Sequence, residues 1–120
     1  MHIGWCKCIL KSNCRLNLIN LNHHHFDNLI GVYVIWCKKN KTRVVCVGKS
    51  NIRNKLIEMK SDKKVREYGP DRFLTWAAVS IDLLDSVETF LCTNLKPEIY
   101  STPSSVSSIS VNLPFLKFYD

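Results

Sequence analysis

The chain predicts a small α/β domain of the α+β kind: a three-stranded, mostly antiparallel sheet flanked by helices. Three observations carry this. Gly31 to Cys37 and Arg43 to Val47 are runs rich in β-branched and aromatic residues, separated by a turn short enough only for a hairpin. A third such run, Phe73 to Val79, stands between two helical stretches. Those stretches space their apolar residues helically: Ile52, Leu56 and Met59 recur at i, i+4, i+7, and Leu84, Leu91 and Leu95 fall within about 40° on a wheel, with Val87 beside them.

Met1 to Phe26 has no sustained period and reads as an appended segment, the domain running from Asp27 to Asp120. Its removal is expected to leave a folding domain. Gly31 to Cys37 is apolar at nearly every position, as in a strand buried on both faces. Lys38 to Thr42 makes the turn, Arg43 to Val47 the partner strand, and Gly48 breaks it. Ser50 or Asn51 stands where the N-cap of a helix from Ile52 to Lys60 belongs. Ser61 caps a second short helix that Gly69-Pro70 stops. The helix from Ile81 to Leu95 ends at Lys96-Pro97. Ser101 to Ser110 is turn-prone and low in complexity, and the apolar Val111 to Phe115 should pack back on the domain.

At 120 residues the chain is one domain. Its net charge of +7 is unevenly spread. Lys38 to Arg66 holds eleven Lys or Arg against Glu58 and Asp62, and the remainder holds six against eight. The positive charge therefore belongs to the hairpin turn and the helical region after it. No apolar run approaches the roughly 18 residues a membrane span needs. Lys7, Lys11, Asn13 and Arg15 interrupt any signal-peptide core, so a cytoplasmic location without a membrane partner is expected. Of six cysteines, Cys37, Cys46 and Cys92 fall inside strands and a helix, where reduced thiols act as small hydrophobes.

Two motifs fail on spacing. Gly48-Lys49-Ser50 follows a strand, but a P-loop needs glycine where Arg43 stands. Cys6, Cys8, Cys14 and His23-His24-His25 are zinc-type donors, yet Cys-x-Cys is not finger spacing and no second pair follows. Glu88 is more informative. It lies about 40° from Leu84 and 20° from Leu95 on the wheel, at the edge of the apolar stripe. A carboxylate there is partly desolvated and needs a partner, either a Lys or Arg neighbour or a metal. Tyr33 shares a strand face with Gly31 and Ile35 and reads as a core tyrosine with its hydroxyl at the rim.

The order Gly31-Val32-Tyr33, hairpin, Cys46-Val47-Gly48, basic helix, strand and late helix resembles the GIY-YIG nuclease domain over roughly Leu29 to Tyr100. Gly48-Lys49-Ser50, Thr75-Trp76-Ala77, Val87-Glu88 and Val111-Asn112-Leu113-Pro114 also look like small stand-alone bacterial members of that superfamily. The resemblance implies that Glu88 binds a single divalent metal such as Mg²⁺, that Tyr33 lines the active site beside the attacking water, and that Gly31 and Gly48 permit close approach. It places Lys55 where the family has an active-site arginine, Cys46 where it has a second tyrosine, and Tyr100 where an asparagine is frequent. A lysine keeps the charge and loses the bidentate fork, and a thiol is a poor donor beside a phenol.

The resemblance thus implies a metal-dependent endonuclease acting on DNA, with Lys49, Arg53, Lys60, Lys63 and Lys64 holding flanking phosphates. The altered residues motivate an alternative, a nucleic-acid-binding module with a degraded site. A protein-interaction domain with a solvated basic face is a third class.

Overall fold

Among the described residues, four strands and three α-helices follow in the order β1 (Trp5–Cys6), β2 (Ile30–Lys39), β3 (Lys41–Asn51), α1 (Ile52–Ser61), α2 (Lys63–Arg66), β4 (Arg72–Ala78) and α3 (Leu84–Leu95). The computed structural model describes residues 1–6, 15–101 and 106–114. The sheet order is β1-β4-β2-β3, with every neighbouring pair antiparallel. The fold is therefore the small α+β domain expected, with one strand more. That strand is only two residues long, pairing Trp5 with Ala77 and Cys6 with Trp76, too short to leave a period in the sequence.

β2 is the centre of the sheet, and its residues from Val32 to Cys37 are all buried. Its odd positions, Tyr33, Ile35 and Cys37, face Ile52, Leu56 and Met59 of α1 and Val65 of α2. Its even positions, Val32, Val34 and Trp36, face Leu84, Val87, Leu91 and Leu95 of α3. The hairpin is tighter than the sequence suggests: Lys39 pairs with Lys41, and Asn40 alone turns the chain at φ +63°. β3 also runs on where a break was expected. Gly48 stays in the ladder opposite Tyr33, and pairing continues to Asn51 opposite Ile30.

The chain leaves β3 through Asn51, whose side chain accepts from the Asn54 amide and caps α1. Ser61 closes α1, and Asp62 rather than Ser61 caps α2, its Oδ1 accepting from the Val65 amide at 3.0 Å. α3 begins one turn later than the sequence reading, Ile81–Leu83 being a 3₁₀ turn. Lys96, in the left-handed region, ends it.

The described residues before Asp27 are built into both layers. Leu16, Leu21 and Phe26 are buried under α1 and α2, and Ile3 is buried on the α3 side. The Ile3 amide donates to Asn112 Oδ1 at 2.6 Å, and Asn112 Nδ2 donates back to the Ile3 carbonyl at 3.0 Å. Val111 is buried there and Leu113 packs beside it, so the described part of the tail does return; Phe115 lies outside the described residues. The boundary read after Phe26 therefore has no gap in packing to mark it. The histidine run forms a 3₁₀ turn, His24–Phe26, that delivers Phe26 to the core while His25 Nε2 accepts from Trp76 Nε1. Cys8 and Cys14 lie outside the described residues. No helix among the described residues is long and apolar enough to cross a membrane.

Burying an aliphatic or aromatic side chain is worth about 1.5–3 kcal/mol, and total stabilities run about 5–15 kcal/mol. Loss of Ile3, Leu16, Leu21 and Phe26 together therefore competes with the whole stability of the domain. A chain beginning at Asp27 should lose its cooperative urea transition, followed by circular dichroism. A truncated chain with an unshifted midpoint would make the segment dispensable.

Candidate functional site

β3 is an edge strand with α1 against one face of the sheet and α3 against the other. Between them, alongside residues 46–49, opens a pocket of about 410 Å³. It is lined by Tyr33, Cys46, Gly48, Lys49, Lys55, Glu58, Asp62, Glu88 and Tyr100, with Val47 and Met59 behind them. Tyr33, Lys55, Glu88 and Cys46, drawn from β2, α1, α3 and β3, are thus brought to one place.

Tyr33 starts from an inner strand and must cross β3 to reach this edge. It does so over Gly48, its cross-strand partner. A Cβ on Gly48 would fall inside the far end of the Tyr33 ring. Gly31 answers a different neighbour: a Cβ there would run into the Ala77 carbonyl of β4. Both glycines serve close approach, to the protein's own ring and backbone. Val32 and Val47 are core residues on the α3 face. Burial pushes the Tyr33 phenol well above its ordinary pKa, with the Cys46 thiol and the carboxylates of Glu58, Glu88 and Asp62 adding to it. At neutral pH it is a proton-bearing donor, not a base. Burial likewise pushes the Cys46 thiol up to about 12, so no thiolate nucleophile stands here.

Glu88 is half-buried at the edge of the α3 stripe, as its wheel position predicts, and its partner is a cation of the protein. Lys49 Nζ lies 2.7 Å from Glu88 Oε1 and 2.8 Å from Asp85 Oδ1, one turn earlier on the same helix. Burial works against the Lys49 ammonium, and the bonds to Asp85 and Glu88 outweigh it, so its pKa rises. Lys55 lies on the opposite wall with Glu58 at 3.5 Å. Asp62 Oδ2 accepts from the Tyr100 hydroxyl at 2.7 Å. Burial works against the Asp62 carboxylate, and bonds from Tyr100 and the Val65 amide hold its pKa below the usual value. Glu58, Asp62 and Glu88 against Lys49 and Lys55 leave the pocket one carboxylate in excess, although it lies in the most basic part of the chain.

The flanking cations divide. Lys63 and Lys64 are exposed beside the pocket, Lys64 Nζ lying 5.6 Å from the Tyr100 ring centre. Arg53 is turned away and committed to structure, its guanidinium donating to the Leu21 and His23 carbonyls and to Asp27 at 2.7–2.9 Å. Lys60 reaches back toward the Ile19 carbonyl at 3.5 Å. Both hold the N-terminal segment on α1. Asp85 and Asp62 were missed as site residues. The i, i+3 spacing to Glu88 was a usable signal for the first; the second was hidden because the cap of α2 was read at Ser61.

Among the described residues no three His, Cys, Asp or Glu side chains are grouped to hold a metal. Mg²⁺ keeps several waters and takes one or two protein carboxylates, so the test of fit is whether two can share a cation. Asp85 and Glu88 do so, with the Lys49 ammonium as the shared cation. Comparison of the chain with protein-family models, curated proteins and solved structures returns no match.

The Gly48–Tyr33 contact has a direct test. Gly48→Ala should cost about 1–3 kcal/mol, the usual range for overpacking. In a Tyr33→Ala background the same change should cost far less, giving a coupling energy in denaturant unfolding. Equal costs in both backgrounds would place the constraint elsewhere.

Proposed function

We propose that the pocket at the β3 edge receives a phosphodiester of DNA and hydrolyses it. The observation that carries this reading is the convergence of Tyr33, Lys55 and Glu88, from three separate elements, on one pocket. Lys55 would face the non-bridging phosphate oxygens as a point charge. Tyr33, kept protonated by burial, would donate to a phosphate oxygen or orient the attacking water. Lys63 and Lys64 would hold phosphates on either side. The excess carboxylate supports a cationic companion to the phosphate, and Asp85 and Glu88 are the residues that would hold Mg²⁺. When bound, that ion would polarise the phosphate and offset charge on the leaving oxygen.

A second reading, binding without cleavage, is favoured by one contact. The Lys49 ammonium already neutralises Glu88 and Asp85, so a divalent ion has to displace it. Both readings draw on the resemblance of the order of elements to the GIY-YIG domain.

Nicking of supercoiled plasmid in Mg²⁺ or Mn²⁺ separates the readings. Hydrolysis by the wild type, lowered about 100- to 1000-fold by Glu88→Ala, is the expected result. Lys49→Met should strengthen binding of Mn²⁺, measured calorimetrically without substrate, because it removes the competing cation. An uncut plasmid that is nevertheless retained by the protein, with affinity falling steeply in salt, supports the binding module. A protein that neither cuts nor retains it contradicts both.

A further inference from the structure

Tyr100 is an aromatic side chain held in place at both ends and left open. Its backbone is in the left-handed region at φ +59°, a conformation costly for a non-glycine residue. The residues before it are bonded to the free edge of β3, the Glu98 amide to the Val44 carbonyl at 3.1 Å and the Ile99 amide to the Val45 carbonyl at 3.0 Å. Glu98 is gripped by the Arg43 guanidinium through two bonds of 2.6 and 2.7 Å, and by the Tyr68 hydroxyl at 2.8 Å. At the other end of the ring, the Tyr100 hydroxyl donates to Asp62, which is itself fixed as the cap of α2. A ring so anchored cannot fold inward, and it remains 47% exposed at the wall of the pocket, with Lys64 beside it.

From this we infer that Tyr100 is a stacking platform for a nucleobase, and that the site takes an unpaired nucleotide in preference to a duplex. The inference rests on the nucleic-acid reading of the pocket and adds the substrate class to it. A phosphate drawn to Lys55 and Lys64 brings the adjoining base to the mouth of the pocket, where the immobile ring meets it at little entropic cost. The bases of a duplex have their faces covered by their neighbours. Single strands, flaps and frayed ends offer a free face. Lys64 supplies both a phosphate contact and a positive charge against the ring system.

The test uses the full chain in EDTA, so that binding is read without cleavage. Fluorescence anisotropy compares a labelled 12-nucleotide single strand of mixed sequence with its duplex, at one low salt concentration. The wild type should bind the single strand more tightly. Stacking is worth about 1–3 kcal/mol per base, so Tyr100→Ala should weaken single-strand binding about 5- to 150-fold and change duplex binding little. Tyr100→Phe keeps the ring without its tie to Asp62 and should retain most of the preference, which separates stacking from loss of the hydroxyl bond. Thermal melts of both variants identify any loss of fold, and Tyr100→Trp, which enlarges the platform, should then strengthen single-strand binding. An unchanged ratio of single-strand to duplex affinity in Tyr100→Ala, or a wild-type preference for duplex, overturns the platform while leaving the nucleic-acid reading in place. Binding to neither probe overturns both.

Discussion

The site depends on a side chain crossing its neighbouring strand. Tyr33 belongs to the central strand, where every neighbouring position is buried, yet its phenol reaches the edge of the sheet because Gly48 leaves the space above β3 open. The same strand that carries the core thereby carries a polar group to a pocket. The cost is a glycine in a strand, which packs nothing of its own. Here Tyr33 covers that position, so the sheet remains closed while the hydroxyl sits at its rim. The walls of the pocket follow from the layers on either side: α1 supplies Lys55 and Glu58, and α3 supplies Glu88.

Charge at two scales runs in opposite directions. The stretch from Lys38 to Arg66 is strongly basic, but three carboxylates face two ammonium groups in the pocket within it. A basic surround draws a polyanion toward the surface at long range. An acidic interior holds it off at short range unless a cation enters with it. The Lys49 bridge to Asp85 and Glu88 neutralises part of that charge, and a free cation entering the site would compete with this tethered ammonium.

Much of the fold was legible because β2 and α3 are extreme cases of their patterns. β2 is apolar at nearly every position, and the Leu84, Val87, Leu91 and Leu95 stripe of α3 is buried as its spacing requires. Glu88 was legible for the same reason, as a polar residue on the border of an apolar stripe. The misreadings came from tertiary contacts that no local pattern records. Gly48 looks like a strand breaker in sequence, and only the cross-strand tyrosine explains why it stays in the ladder. The described residues before Asp27 contribute single anchors, Leu16, Leu21 and Phe26, whose spacing leaves no period in the sequence. Arg53 reads as a phosphate ligand by charge, whereas its fork is spent on the carbonyls of that path. Tyr100 owes its position to a left-handed residue and to the β3 edge, neither of which has a sequence signature here.

The central claim is that a phosphodiester enters beside Gly48. Amide chemical shifts followed by NMR during titration with a short single-stranded oligonucleotide test it most directly. The account predicts the largest changes at Gly48, Lys49, Lys55 and Glu88, reached in proportion to occupancy. Changes confined to the hairpin turn around Asn40, with the amides of the pocket unmoved at saturation, would contradict it.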